Sequence, residues 1–181
     1  MTSRASSPVD TLAAALDQAG RALDAVRDDQ LDEPSTCGDW TVRQLASHVA
    51  ASPARFAQMG RGEEVDWAAD PGIADGEHAA AFRSSAEDHL SGVRALPEEQ
   101  QGSAAFAVAE YAVHSWDLVT STGSDVSLDD SIAETALATM QQGLNDENRQ
   151  GAFGPEVSVP AGASAYERLV SFSGRNPRGR P

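Results

Sequence analysis

Glu110 and His114 stand four residues apart inside AAFAVAEYAVHSWDLV, residues 104–119, where every position except those two, Ser115 and Asp117 is apolar or aromatic. The pattern predicts a helix without a polar face, enclosed on all sides. An isolated carboxylate in such a place is costly enough that it must be paired or bound to a metal. Residues four apart on a helix sit one above the other, with Cβ atoms roughly 5–6 Å apart, and Asp117 continues the strip. A carboxylate and an imidazole so placed are two ligands for a divalent cation, and a third must come from another part of the chain. The alternative is a satisfied Glu–His pair in the core.

The histidines are His48, His78, His89 and His114. His48 falls on the apolar face of residues 42–59, and His89 falls on the apolar stripe of a later segment. Periodicity alone admits either as the third ligand. His78, beside Gly76 and Glu77, reads as exposed near a helix start. A His/Glu/His set with an open fourth position is the pattern of catalytic rather than structural zinc, although such donors also suit nickel and iron. Asp117 could hold His114 in its ligating tautomer or meet water at the end of the bundle. Cys37 has no histidine or basic residue close in sequence and reads as a small packed side chain rather than a nucleophile.

The elements that must position these residues follow from apolar spacing. Ser7-Pro8 opens a first helix, with Val9, Leu12, Leu16, Ala19, Leu23 and Val26 on one face. Thr41 and Gln44 make a capping box for a second helix running to about Met59. Residues 63–76 are turn-rich, with Trp67 and Ile73 as anchors. A third helix is expected over about 77–96, with Phe82, His89, Leu90 and Val93 inward. Residues 97–102 connect it to the 104–119 helix, which ends at the glycine signal Thr122-Gly123. Another helix is expected from Ser127, with Ile132, Ala136, Met140 and Leu144 in its stripe. An extended segment over 151–162 follows, then a helix capped by Ser164 and Glu167 and closing at Phe172. Residues 175–181 read as a frayed tail. Without repeats or a linker, the expectation is one all-α domain over 1–181, with four long helices and short additions.

The chain has 181 residues and a net charge of −15, which argues against nucleic acid or anionic membrane as partners. No run is apolar enough to span a bilayer or to form a signal core, so a cytoplasmic protein is expected. All 13 basic residues are arginine, which excludes lysine chemistry. Walker A, dinucleotide, G-x-S-x-G and Cys-x-x-Cys motifs are missing. What is left is metal chemistry, or binding without chemistry.

Cys37-Gly38-Asp39-Trp40-Thr41-Val42-Arg43-Gln44-Leu45 with His48-Val49, and Glu110 followed by His114-Ser115-Trp116-Asp117-Leu118 and Thr122-Gly123, resemble the mycothiol-dependent maleylpyruvate isomerase N-terminal family. Residues 153–157 through Arg168-Leu169 resemble its short actinobacterial members. The resemblance implies a DinB-like four-helix bundle and a metal, usually zinc, on His48, Glu110 and His114, leaving His89 a weak alternative. It further implies an enzyme of the mycothiol S-transferase or isomerase type, in which a metal-activated thiolate attacks a small electrophilic substrate. The rival expectations are a hydrolase using bound water and a non-catalytic metal or small-molecule binding bundle, the latter compatible with a homodimer.

Overall fold

The computed structural model describes residues 7–149 and 153–179. Six α-helices account for its regular structure: α1 (Pro8–Asp24), α2 (Val42–Gly60), α3 (His78–Arg94), α4 (Ala104–Thr122), α5 (Asp130–Gly143) and α6 (Ala165–Phe172). Short 3-10 turns occupy Asp28–Gln30 and Glu98–Ser103. Among the described residues the only β feature is an isolated antiparallel bridge between Pro34 and Thr41. No helix there is long and apolar enough to cross a membrane. The fold is all-α, a DinB-like bundle.

The helices start where the sequence supplies caps. Ser7, Thr41 and Ser164 each accept from the backbone N–H three residues on, and their own N–H groups donate back to the side chains of Asp10, Gln44 and Glu167. The helix expected from Ser127 begins at Asp130, because the Asp129 carboxylate takes the Ser131 N–H at 2.8 Å. The Asp129 N–H meanwhile goes to the side chain of Gln18 at 2.7 Å. Gln18 is fully buried and also donates to the Tyr166 hydroxyl at 2.7 Å, tying α1 to the start of α5 and to α6. Neither end of that amide is left unpaired, which is the condition for burying it.

In the bundle α4 packs against α1, α2 and α5; α3 joins α1 to α2; and α6 covers α5. Leu12 and Leu16 of α1, Leu45 and Val49 of α2, Phe82 of α3, Val108, Tyr111 and Leu118 of α4 and Ile132 of α5 form the core between them. The 61–77 connection is fastened to α2 by Arg43, which pairs with both Asp75 and Asp32, and by Arg55, which donates to the Ala69 carbonyl at 2.6 Å. Trp67 and Ile73 are partly buried against the core, as the sequence suggests.

Three expectations need correction. His78 is buried, its Nε2 lying 3.1 Å from the Ser47 hydroxyl, and burial lowers its pKa. The α4 helix is not enclosed all round: Phe106 is 60% exposed and the Glu110 side chain 21%. Of the tail expected over 175–181, residues 180 and 181 lie outside the described residues, while Arg175 and Gly179 pack against the bundle. Gly174, at φ +87°, crosses Gly154 so closely that a Cβ on Gly174 would lie 2.5 Å from the Gly154 Cα, a place only glycine can fill. The crossing delivers Arg175 to the interior. Within the expected extended segment, Gly151 and Ala152 lie outside the described residues. The remainder, 153–162, forms no helix or strand and turns at 161–162, and the Val157 N–H bonds the Ser171 carbonyl at 2.9 Å.

Candidate metal centre

Helices α2 and α4 face one another where His48 meets Glu110 and His114. The His48 Nε2 lies 2.6 Å from Glu110 Oε1, and His114 Nε2 lies 3.4 Å from the same oxygen. The two imidazole centroids are 5.0 Å apart and nearly edge-on. One donor atom from each of the three residues falls within 4.8 Å of the others. Donor atoms around a tetrahedral zinc are about 3.3 Å apart, given bonds near 2.0–2.1 Å. The His114–Glu110 spacing already has that value, and the His48 contact would open by less than 1 Å. The donor set therefore fits a divalent cation. The structure brings His48 to the pair and places His89 elsewhere, stacked on Phe56 at 5.3 Å with its Nδ1 3.1 Å from the Tyr111 hydroxyl.

Behind His114 the support is built from three elements. Asp117, fully buried, stands 3.0 Å from His114 Nδ1. Its carboxylate also accepts from the Thr36 hydroxyl at 2.7 Å and from Arg175 at 3.0 and 3.4 Å. Burial would raise the Asp117 pKa, but the Arg175 charge and the His114 bond outweigh it and keep the group ionised. An ionised Asp117 accepts the hydrogen bond from His114 Nδ1–H, so Nε2 is the ring nitrogen turned toward Glu110. Ser52 on α2 bonds the His48 carbonyl at 2.9 Å and approaches Glu110 Oε1 at 3.4 Å.

The charges balance within the cluster. Burial pushes the Glu110 carboxyl up, yet His114 and the bond from His48 hold it down at about 2. Burial pushes His114 down, and Glu110, Asp117 and Cys37 raise it to about 10. Without a cation, His114 is thus an imidazolium at neutral pH, and a metal must displace its Nε2 proton.

Cys37 has no histidine or basic residue close in sequence, yet the fold brings both to it. Its sulfur is 3.4 Å from an Arg175 nitrogen, and it lies within ligand distance of His114 and Asp117. Those three could hold a metal by spacing alone. The Arg175 guanidinium already sits against both the sulfur and the carboxylate, and its fixed positive charge opposes a second cation there. Arg175 is felt at Glu110 only through its charge, and among the described residues no guanidinium is hydrogen-bonded to His48, Glu110 or His114. A cleft of about 520 Å³ lined by Arg27, Glu33, Thr36, Ser121 and Arg178 contains none of these ligands and touches the cluster only through Thr36. Arg175 escaped sequence reasoning. No local signal marks it, because its partner lies 58 residues earlier.

A family model described as the mycothiol maleylpyruvate isomerase N-terminal domain matches residues 12–119. Two relatives from Mycobacterium tuberculosis, one in strain CDC 1551/Oshkosh and one in strain ATCC 25618/H37Rv, are each 28% identical over 170 residues. The match covers 84% of this chain and 89% of each relative, and both are described as uncharacterized proteins. No solved structure matches the chain. The matched region holds His48, Glu110, His114 and Asp117, while Arg175 lies beyond it.

Proposed function

The chain belongs to the mycothiol maleylpyruvate isomerase N-terminal domain family, and from that membership and the cluster geometry we propose a metal-dependent, thiol-using enzyme of the transferase or isomerase kind. The observation that carries the reading is the convergence of two imidazole Nε2 atoms on one carboxylate oxygen, with His114 held from behind by a buried carboxylate. His48, Glu110 and His114 would hold the cation, with zinc suited to the donors. When bound, such a cation lowers the pKa of an external thiol or water, supplying a nucleophile at neutral pH.

The protein groups have separate tasks. Asp117 and Arg175 fix the His114 ring, and Ser52 restrains the α2 backbone at His48. The Trp40 ring, 5.0 Å from the His48 ring, screens that imidazole from water. Partial exposure of Glu110 leaves an approach from solvent, as an open coordination position requires. In the overall transfer, the thiol S–H bond breaks, a sulfur–carbon bond forms on the electrophile, and the proton leaves with the departing group or to water. In an isomerisation the same sulfur adds and is then eliminated. Mycothiol is the thiol that the family description indicates.

The test is elemental analysis of the purified protein followed by conjugation assays with mycothiol. One equivalent of metal, lost in His114→Ala together with thiol-dependent turnover, is expected. Full metal content and activity in His114→Ala would refute the assignment, and turnover without thiol would favour hydrolysis.

A further inference from the structure

The cleft of about 520 Å³ beyond Asp117 contributes no ligand to the metal centre, and its lining says what it can hold. Three stretches of chain wall it: the 3-10 turn Asp28–Gln30 with the loop to Thr36, the last turn of α4, and Arg178 with Gly179 near the C-terminus. Bonds across the walls fix them to one another. Gln30 donates from Nε2 to the Thr122 carbonyl at 2.8 Å, and the Thr36 N–H goes to the Ser121 hydroxyl at 2.9 Å. Gly179 lies so near Thr120 that a Cβ on the glycine would stand 3.2 Å from the threonine Cγ2. A volume of this size encloses a small molecule.

Most polar groups of the lining are committed within the protein. Arg27 forks onto Asp29 at 3.0 and 3.4 Å, Gln30 is bonded at both ends of its amide, and the Thr36 hydroxyl donates to Asp117 at 2.7 Å. Two charges are not. Among the described residues, neither the Glu33 carboxylate nor the Arg178 guanidinium has a hydrogen-bond or ion-pair partner, and the two do not pair with each other. A solvated surface charge needs no partner. Arg178 nevertheless stands apart, because every other described arginine side chain has a carboxylate or carbonyl partner.

We propose that this cleft binds a small zwitterion of the amino-acid class, with its ammonium group on Glu33 and its carboxylate on Arg178. Opposite charges that line one cleft without meeting are complementary to a ligand carrying both signs. A guanidinium holds a carboxylate through two parallel N–H donors, and the carbonyl end of α4 at Thr120 and Ser121 adds attraction for an ammonium. No aromatic ring lines the cleft, so it offers no face on which a nucleobase or a sugar would stack. In a chain of net charge −15 a lone anion is repelled, and a lone cation leaves Arg178 unmatched. The site is independent of the metal reading, since neither Glu33 nor Arg178 touches His48, Glu110 or His114.

A ladder of zwitterions tests it. Glycine, β-alanine, 4-aminobutyrate and 6-aminohexanoate are titrated into the isotope-labelled protein while its backbone amide resonances are followed, with the straight-chain acid and amine of matching length as single-charge controls. At least one zwitterion is expected to saturate in the millimolar range or below, with the largest shifts at Thr36, Ser121 and Gly179. It should bind at least about tenfold more tightly than either control, because each control satisfies one charge only. Glu33→Gln and Arg178→Gln both replace exposed, unpaired side chains, so each should weaken binding about fivefold or more at unchanged melting temperature. The proposal is overturned if no zwitterion saturates, if a single-charge control binds as tightly, or if the shifts centre elsewhere on the molecule. Unchanged affinity in either variant overturns it as well.

Discussion

Replacing Arg175 by Met asks whether residues beyond the family region complete the cluster. The guanidinium contacts both oxygens of Asp117, at 3.0 and 3.4 Å, and its side chain is 9% exposed against a carboxylate that is not exposed at all. Removing one member of a buried ion pair costs about 3–5 kcal/mol, mostly because the other charge stays behind unpaired. Asp117 keeps the Thr36 hydroxyl and His114, so the lower end applies, about 3 kcal/mol. For a chain of this length that is a fall in Tm of roughly 6–12 °C. The metal should loosen as well, by about 10–100-fold, because the group holding His114 in its tautomer is disturbed. Thermal melts and chelator competition read the two effects separately. In a double-mutant cycle with Asp117→Asn, the pair should recover at least about 2 kcal/mol relative to the sum of the single changes. A cost below about 1 kcal/mol for Arg175→Met, or additivity in the cycle, would refute the argument.

Gly174→Ala should cost about 3 kcal/mol or more, since the new methyl meets the Gly154 backbone at 2.5 Å and the residue must keep φ +87°; urea titration reads it. His89 has its pKa lowered to about 4 by burial. The unfolded chain therefore binds a proton at His89 that the native chain refuses between about pH 6.5 and pH 4. That contribution to stability is present above the window and falls by about 3 kcal/mol as pH drops through it; His89→Phe should show a shallower loss in the same titration. With His114 raised to about 10 in the metal-free protein, metal uptake at pH 7–8 should release about one proton. The apparent affinity should then rise about tenfold per pH unit in that range, which calorimetry in buffers of different ionisation enthalpy will show. Proton release near zero would mean that Glu110 and His114 are not both ligands.

Legibility from sequence depended on how local each cause was. The Glu110–His114 pair needs only helical spacing, and the caps at Ser7, Thr41 and Ser164 need only their next three residues, so these were readable. His48 and His89 were equivalent by periodicity, because which histidine meets α4 depends on how the helices pack. The fold separates them by stacking His89 on Phe56. His78 was misread because its polar neighbours describe the loop before it, whereas Ser47 of another helix buries it. Apolar character along α4 overstated its enclosure, since hydrophobicity does not say which side a neighbouring helix covers. Phe106 is the side left open. Arg175 sits in a run of Gly, Asn, Pro and Arg that resembles any polar terminus. Only the crossing of Gly154 and Gly174 turns it inward.

The distance in sequence between Asp117 and Arg175 also sets an order of events during synthesis. Ribosomes add about 5–20 residues per second, so the 58 residues that separate the pair take roughly 3–12 s to emerge. During that interval the nascent chain already carries His48, Glu110, His114 and Asp117, but lacks the cation that lets Asp117 remain charged in the interior. The helices can gather before then, yet the seat of His114 can lock only when the later segment arrives. On the metal reading, the seat that His114 offers a divalent ion is complete only once Arg175 has been made and has reached Asp117.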